Sequence, residues 1–181
     1  MDSKDSNVRD FPEDIKANQE FIREALDMGA SKSKIIDARS IVLGNWVKLQ
    51  CQFGCENFGK MHTCPPHSPM ADETSEILLD YQKAILLDAD DDKNMNEIVL
   101  SLETKLRSKG FYKAFALSAQ PCDLCETCTV ETHCKYPEKA RPTLQACGIN
   151  VQETMDQQGW EPSNSWQPCS PKNNIGMVLI A

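Results

Sequence analysis

No stretch of this chain approaches the roughly 18–20 consecutive apolar residues that a membrane-spanning helix needs. The longest apolar runs, such as residues 175–181, are strand-sized. Residues 1–14 are polar and charged and lack the apolar segment of a secretory signal. No long basic run occurs, and a formal net charge of −8 with a pI near 4.9 sets the chain against nucleic-acid phosphate and anionic lipid alike. A glycine-rich phosphate loop of Walker or Rossmann spacing is missing, which argues against nucleotide as a cofactor. There is no internal repeat, no low-complexity segment, and no charge stripe or apolar heptad that would fix an oligomeric state. These absences lead to a cytoplasmic protein with neither nucleic acid nor membrane as a partner.

What is abundant is cysteine. The 181-residue chain carries nine. An odd count in a reducing compartment argues for ligation rather than disulfides. Four of them, Cys122, Cys125, Cys128 and Cys134, fall within thirteen residues, and the first three are spaced strictly by three. Thiolates this close together are rarely a packing feature. They suit a cube of iron and sulfide, which needs four thiolates converging from a short loop. Zinc is the alternative. Its sites usually pair two Cys-x2-Cys knuckles a dozen or more residues apart, a pattern that three cysteines at consecutive threes fit poorly.

A second run, Cys51-x3-Cys55-x8-Cys64-Pro65-Pro66, supplies three thiolates, one short of a closed set. Cys147, Cys169, His62 and His67 are the candidates for the fourth ligand. Cys147 is favoured, because it follows the dense run and precedes Gly148, where a helix end could approach the first loop. An exchanged assignment is also conceivable, in which Cys64 completes the cluster of the dense run and Cys134 completes the other. In ferredoxins a distant cysteine followed by proline is shared in this way.

The remaining residues predict the frame. Asp10, Pro12 and Glu13 resemble a capping box. It opens a helix whose Ile15, Ile22, Ala25 and Leu26 recur at helical spacing and which Gly29 ends. Residues 34–43 and 46–50 read as a hairpin turning at Gly44-Asn45. The glycines and prolines of residues 51–69 read as a loop. Residues 70–81 read as a helix with Ile77 and Leu78 on its inner face, and residues 83–88 as a buried strand. Residues 93–109 read as the clearest helix, striped by Met95, Ile98, Val99, Leu102 and Leu106. Residues 111–118 predict a strand, 138–147 and 151–158 short helices, and 175–181 a last strand. Trp46, Trp160 and Trp166 default to the core. The fold class is α/β, as an α+β sandwich: one mixed sheet with helices packed on it and two cysteine-rich loops at strand ends. Residues 1–9 read as a disordered lead-in, and residues 10–181 as a single cysteine-rich metal- or iron–sulfur-binding domain.

The residues Cys51-x-x-Gly54-Cys55-x3-Gly59-x4-Cys64-Pro65-Pro66-x-Ser68-Pro69, then Cys122-x2-Cys125-x2-Cys128-x5-Cys134 and Pro137-Glu-Lys-Ala-Arg141-Pro142, then Ala146-Cys147-Gly148-Ile149 resemble an uncharacterised family of predicted metal-binding proteins, domain of unknown function 2284. The resemblance covers roughly residues 25–181, including the final strand. It implies a cysteine-ligated metal or cluster in a bacterial or archaeal protein, often of anaerobes, and supplies no reaction. Cys169 lies outside its motifs.

The function expected first is low-potential electron transfer to a redox partner protein through one or, more fully, two four-iron clusters. Asp123, Glu126 and Glu131 lie inside the dense loop and disfavour an added electron, while Lys135, Lys139 and Arg141 offset part of this. As solvated loop charges, both sets would matter little. Two alternatives stand beside this reading. One is an iron–sulfur enzyme with one open iron site for a small-molecule substrate, served by His62, His67 and Lys60 as acid–base or ligand groups. The other is a zinc-stapled interaction module.

Overall fold

The closing apolar run forms a strand at the interior of the sheet. The computed structural model describes residues 12–161, 170 and 173–181, and for residues 12–15 the backbone alone. Its elements are α1 (Pro12–Asp27), β1 (Lys32–Asp37), α2 (Val47–Gly54), α3 (Ala71–Leu78), β2 (Lys83–Asp88), α4 (Met95–Ser108), β3 (Phe115–Leu117), α5 (Val151–Gln157) and β4 (Ile175–Ile180), with 3₁₀ turns at Ala38–Ser40 and Gln145–Cys147. The strand order is β1-β2-β4-β3, and every ladder is antiparallel. The α+β architecture is therefore as read, while the ladders are antiparallel rather than mixed. The capping box at Asp10, the lead-in, Cys169 and Trp166 lie outside the described residues.

β2 and β4 are covered on both faces, which explains why they read as continuous apolar runs rather than alternating ones. Ile85, Leu87, Val178 and Ile180 point to one core, built with Phe21 and Ala25 of α1 and the stripe of α4. Ala84, Leu86, Met177 and Leu179 point to the other, built with Leu78, Cys147, Ile149, Val151 and Met155. Each large side chain so buried contributes about 1.5–3 kcal/mol.

α4 starts where expected. Asn94 caps it by accepting from the Glu97 amide, and Met95, Ile98, Val99, Leu102 and Leu106 are all buried. The helix lies close on β4 because Gly176 has no side chain there. A Cβ at that position would stand 2.6 Å from Val99 Cγ1 and 2.9 Å from Met95.

Five expectations are corrected. The hairpin does not form, because Leu43 bridges to Ile149 and the Gly44 amide donates to the Gly148 carbonyl. The partners that a second arm would use are taken by the turn after Cys147. Residues 47–54 instead coil into α2, whose Val47 and Cys51, one turn apart, are its buried side. Residues 138–147 are not a helix. Pro142 has no N–H to give, and its carbonyl accepts from Ser118, whose own carbonyl accepts from Leu144. The segment thus prolongs the edge beyond β3 until the 3₁₀ turn at Gln145–Cys147. β3 is shorter than residues 111–118 suggested, and Ile77 is 40% exposed beside a buried Leu78. Trp46 is likewise an exposed residue, at 49%, while Trp160 packs partly buried against the second core. No helix among the described residues is long and apolar enough to cross a membrane.

Candidate metal centre

Residues 119–150 bring the dense cysteine run to the end of β3, and α2 with the loop after it brings the first run beside it. Cys122, Cys125, Cys128 and Cys134 line one small cavity, closed on one side by Met61, His62 and Thr63 of the first loop. Cys51, Cys55 and Cys64 line a second small cavity with Ala119 and Pro121, which lead into the dense run. The two cavities have no lining residue in common but are lined by chain neighbours, Thr63 beside Cys64 and Pro121 beside Cys122. His62 ties them directly: its Nε2 lies 3.0 Å from the carbonyl oxygen of Thr129, the residue after Cys128. A carbonyl only accepts, so Nε2 carries the proton and donates.

Cys147 ends the 3₁₀ turn Gln145–Cys147 and does not line the cavity of Cys51, Cys55 and Cys64. The 3₁₀ turn that ends in it packs against α2, and Cys51 is close enough to act electrostatically on its thiol. Ser68 holds the first loop to the same turn, its Oγ donating to the Ala146 carbonyl at 2.7 Å. Gly148 follows with φ of 71°, and a Cβ there would come within 2.7 Å of Ala71. The turn and the start of α3 can approach this closely only with glycine at that position.

Burial governs the thiols. It pushes Cys147 up to about 12, with Cys51 adding to the effect. It pushes Cys64 up to about 11; Cys51 raises it further, the Thr63 hydroxyl lowers it, and Cys122 and Cys128 raise it slightly. Burial also raises Cys51 and Cys122, the latter eased by the Leu124 backbone. Raised thiols hold their protons until a metal displaces them.

Cys51, Cys64, Cys122, Cys125, Cys128, Cys134 and Cys147 are free thiols, whereas Cys55 is disulfide-bonded. Sequence reasoning set disulfides aside. A cysteine in a disulfide offers no thiolate, so ligation through Cys55 requires its reduction first. Among the described residues no three His, Cys, Asp or Glu side chains converge so as to hold a single metal ion. The donor set of the dense run, four free thiols around one space, fits a cysteine-ligated group with several attachment points. His67 is exposed and Lys60 likewise. His62 and His67 stand with ring centroids 6.5 Å apart.

Sequence reasoning treated Arg141 with the solvated charges. It is buried instead, at 7% exposure. Its Nε and Nη2 donate to the two carboxylate oxygens of Glu103 at 2.7 and 2.6 Å, and Glu103 also accepts from the Ala116 amide at 2.7 Å. One carboxylate on α4 therefore fixes both β3 and the segment that returns from the dense cysteine loop. Glu103 stands four residues after Val99 on the apolar stripe, and a charge at such a position is the signal that a buried partner exists. Asp123, Glu126, Glu131, Lys135 and Lys139 are exposed, as read.

No curated protein and no solved structure matches the chain. The family model described as predicted metal-binding protein (DUF2284) matches residues 34–180, a span that holds both cysteine loops and Cys147, and the chain belongs to that family.

Proposed function

We propose that the two cysteine sites hold iron–sulfur clusters and that the protein passes single electrons at low potential to a partner protein. The observation that carries this reading is the shared cavity of Cys122, Cys125, Cys128 and Cys134, with the Cys51, Cys55 and Cys64 cavity against it. Zinc draws four donors to one point, at about 2.3 Å for sulfur. Three cysteines at consecutive threes, Cys122, Cys125 and Cys128, fit paired zinc knuckles poorly and a cuboidal cluster better. A bound cluster supplies a one-electron couple. Everything else is the work of this chain. Cys122, Cys125, Cys128 and Cys134 would hold one cluster, and Cys51, Cys64 and Cys147, with Cys55 once reduced, the other. Asp123, Glu126 and Glu131 stand at the solvent edge of the dense loop and oppose added negative charge. Arg141 does not offset them, since its charge is matched by Glu103 inside the fold.

Anaerobic purification tests the reading. Two clusters give a brown protein with broad absorption near about 400 nm and about eight irons and eight sulfides per chain. A colourless protein with about two zinc ions per chain would sink it in favour of a zinc-stapled module.

A second reading, an iron–sulfur enzyme, is favoured by one observation. A larger cavity, with Cys134 and Cys147 in its wall, is lined by His62 and His67 but not Lys60. A cluster spectrum that shifts when a small molecule is added would support the enzyme, and a pure carrier shows no such shift.

A further inference from the structure

Between β3 and the 3₁₀ turn at Gln145–Cys147 the chain holds no helix or strand, so the dense cysteine loop takes its shape from contacts made by single side chains and turns. Cys134, its last thiol, is held from both sides. Before it, the Thr129 hydroxyl donates to the His133 carbonyl at 2.8 Å. After it, the Tyr136 carbonyl accepts from the Lys139 and Ala140 amides at 3.0 and 2.9 Å, which closes a turn. Tyr136 and Ala140 line the cavity of the four thiols together with Cys134. The turn is therefore a wall of the site.

One side chain fixes this turn from inside the fold. Arg141 Nη1 donates to the Pro137 and Ala140 carbonyls at 3.3 and 2.8 Å, and Nη2 donates to the Glu138 carbonyl at 3.2 Å. Nε and Nη2 also grip the Glu103 carboxylate on α4. All three guanidinium nitrogens are engaged. The guanidinium stands 5.0 Å from the centre of the Phe115 ring on β3, and Arg141 lines a further pocket with Cys122, the first thiol of the run. Matching the charge of Glu103 needs only the two contacts to its oxygens. The other three go to the turn. A lysine ammonium could match the charge, but only the planar fork of arginine reaches a carboxylate and three carbonyls at once.

We propose that Arg141, seated on Glu103, is a positioning residue for the dense cysteine site. It holds the turn after Cys134, and with it the Cys134 thiol and the Ala140 wall, in the geometry that a bound metal group needs. Groups that orient a ligand from behind typically matter about ten- to a hundredfold in metal affinity. This role rests on the reading of the dense run as a metal site, and it is the same for a cluster or for zinc.

Arg141→Lys keeps the charge opposite Glu103 and gives up the carbonyls. In the metal-free full chain, alkylation of Cys134 by iodoacetamide, read by peptide mass spectrometry, should be at least about threefold faster than in the parent, with Cys51 and Cys147 unchanged. In chain purified anaerobically, release of bound iron or zinc to a chelator should be about tenfold faster. Phe21→Leu is the control for stability alone. It loosens α1, which packs on β1, β2 and α4, and should leave both rates parental. Glu103→Gln keeps the volume but not the two-oxygen grip on Arg141. It should move Cys134 in the same direction as Arg141→Lys, and it carries the test if the lysine variant does not fold. Parental Cys134 alkylation in both variants, or equal acceleration in Phe21→Leu, overturns the proposal. A parent chain that binds no metal overturns the metal reading and this role with it. A parent that binds metal and is matched in release by Arg141→Lys overturns this role alone.

Discussion

The bond from His62 Nε2 to the Thr129 carbonyl, 3.0 Å long, joins two loops that are 67 residues apart in sequence. It fixes the position of Thr129 and, through it, of the adjacent Cys128. Groups that orient a ligand from behind typically matter about ten- to a hundredfold in metal affinity. His62→Ala is therefore expected to lose metal to a chelator about tenfold faster than the parent protein. Gln, which keeps an N–H donor at similar reach, should restore most of the difference. Equal loss rates for the parent and the Ala variant would show that the two loops hold their geometry without this bond.

Glu103 and Arg141 form a buried pair whose failure exposes each partner to the core. Removing one member of such a pair costs about 3–5 kcal/mol when the other charge is left buried and unmatched, and Arg107 Nη2, 3.2 Å from Glu103 Oε1, puts the loss of Arg141 at the lower end. Glu103→Ala and Arg141→Ala should each lower the urea midpoint by an amount of that order. The double variant should lose clearly less than the sum, since the two residues act on one another. Additive losses would mean that Arg141 draws its stability from the carbonyls of Pro137, Glu138 and Ala140 that it also reaches.

Gly148 is strained against substitution twice over, by its positive φ and by Ala71. Gly148→Ala should destabilise the fold by about 3 kcal/mol, combining backbone strain with overpacking. Its effect should extend to the neighbouring Cys147, read as faster alkylation of that buried thiol. A variant of parental stability would show that the Cys147 turn and α3 can separate at little cost.

These residues also mark what sequence could reveal. The stripe of α4 and the doubly covered strands β2 and β4 were legible, because burial on both faces leaves no polar alternation to misread. Membership of the metal-binding family was legible from the spacing of both cysteine runs, whereas the start of the first run inside α2 was not. The hairpin at Gly44 was misread because its backbone partners lie about a hundred residues away, at Gly148 and Ile149, and local turn chemistry carries no trace of them. The role of Arg141 was hidden for the same reason, since its partner is on α4.

The buried thiols make the stability of the metal-free chain depend on alkaline pH. Cys147 is pushed up to about 12 and Cys64 to about 11, both chiefly by burial, from an ordinary value of 9.0. In the unfolded chain both ionise near 9, whereas the folded chain keeps its protons to higher pH. Between those limits the folded state binds more protons than the unfolded one. The contribution of the neutral thiols is thus complete below about pH 9 and is lost as pH rises toward the folded values. The urea midpoint of metal-free protein should therefore fall between about pH 8.5 and pH 10.5, and Cys147→Ala should flatten that fall even if it lowers the midpoint overall. The same protons oppose ligation, so metal uptake should be weaker at about pH 6 than at about pH 8 and should release acid as it proceeds. Identical pH slopes for the parent and Cys147→Ala would place the alkaline sensitivity elsewhere in the fold.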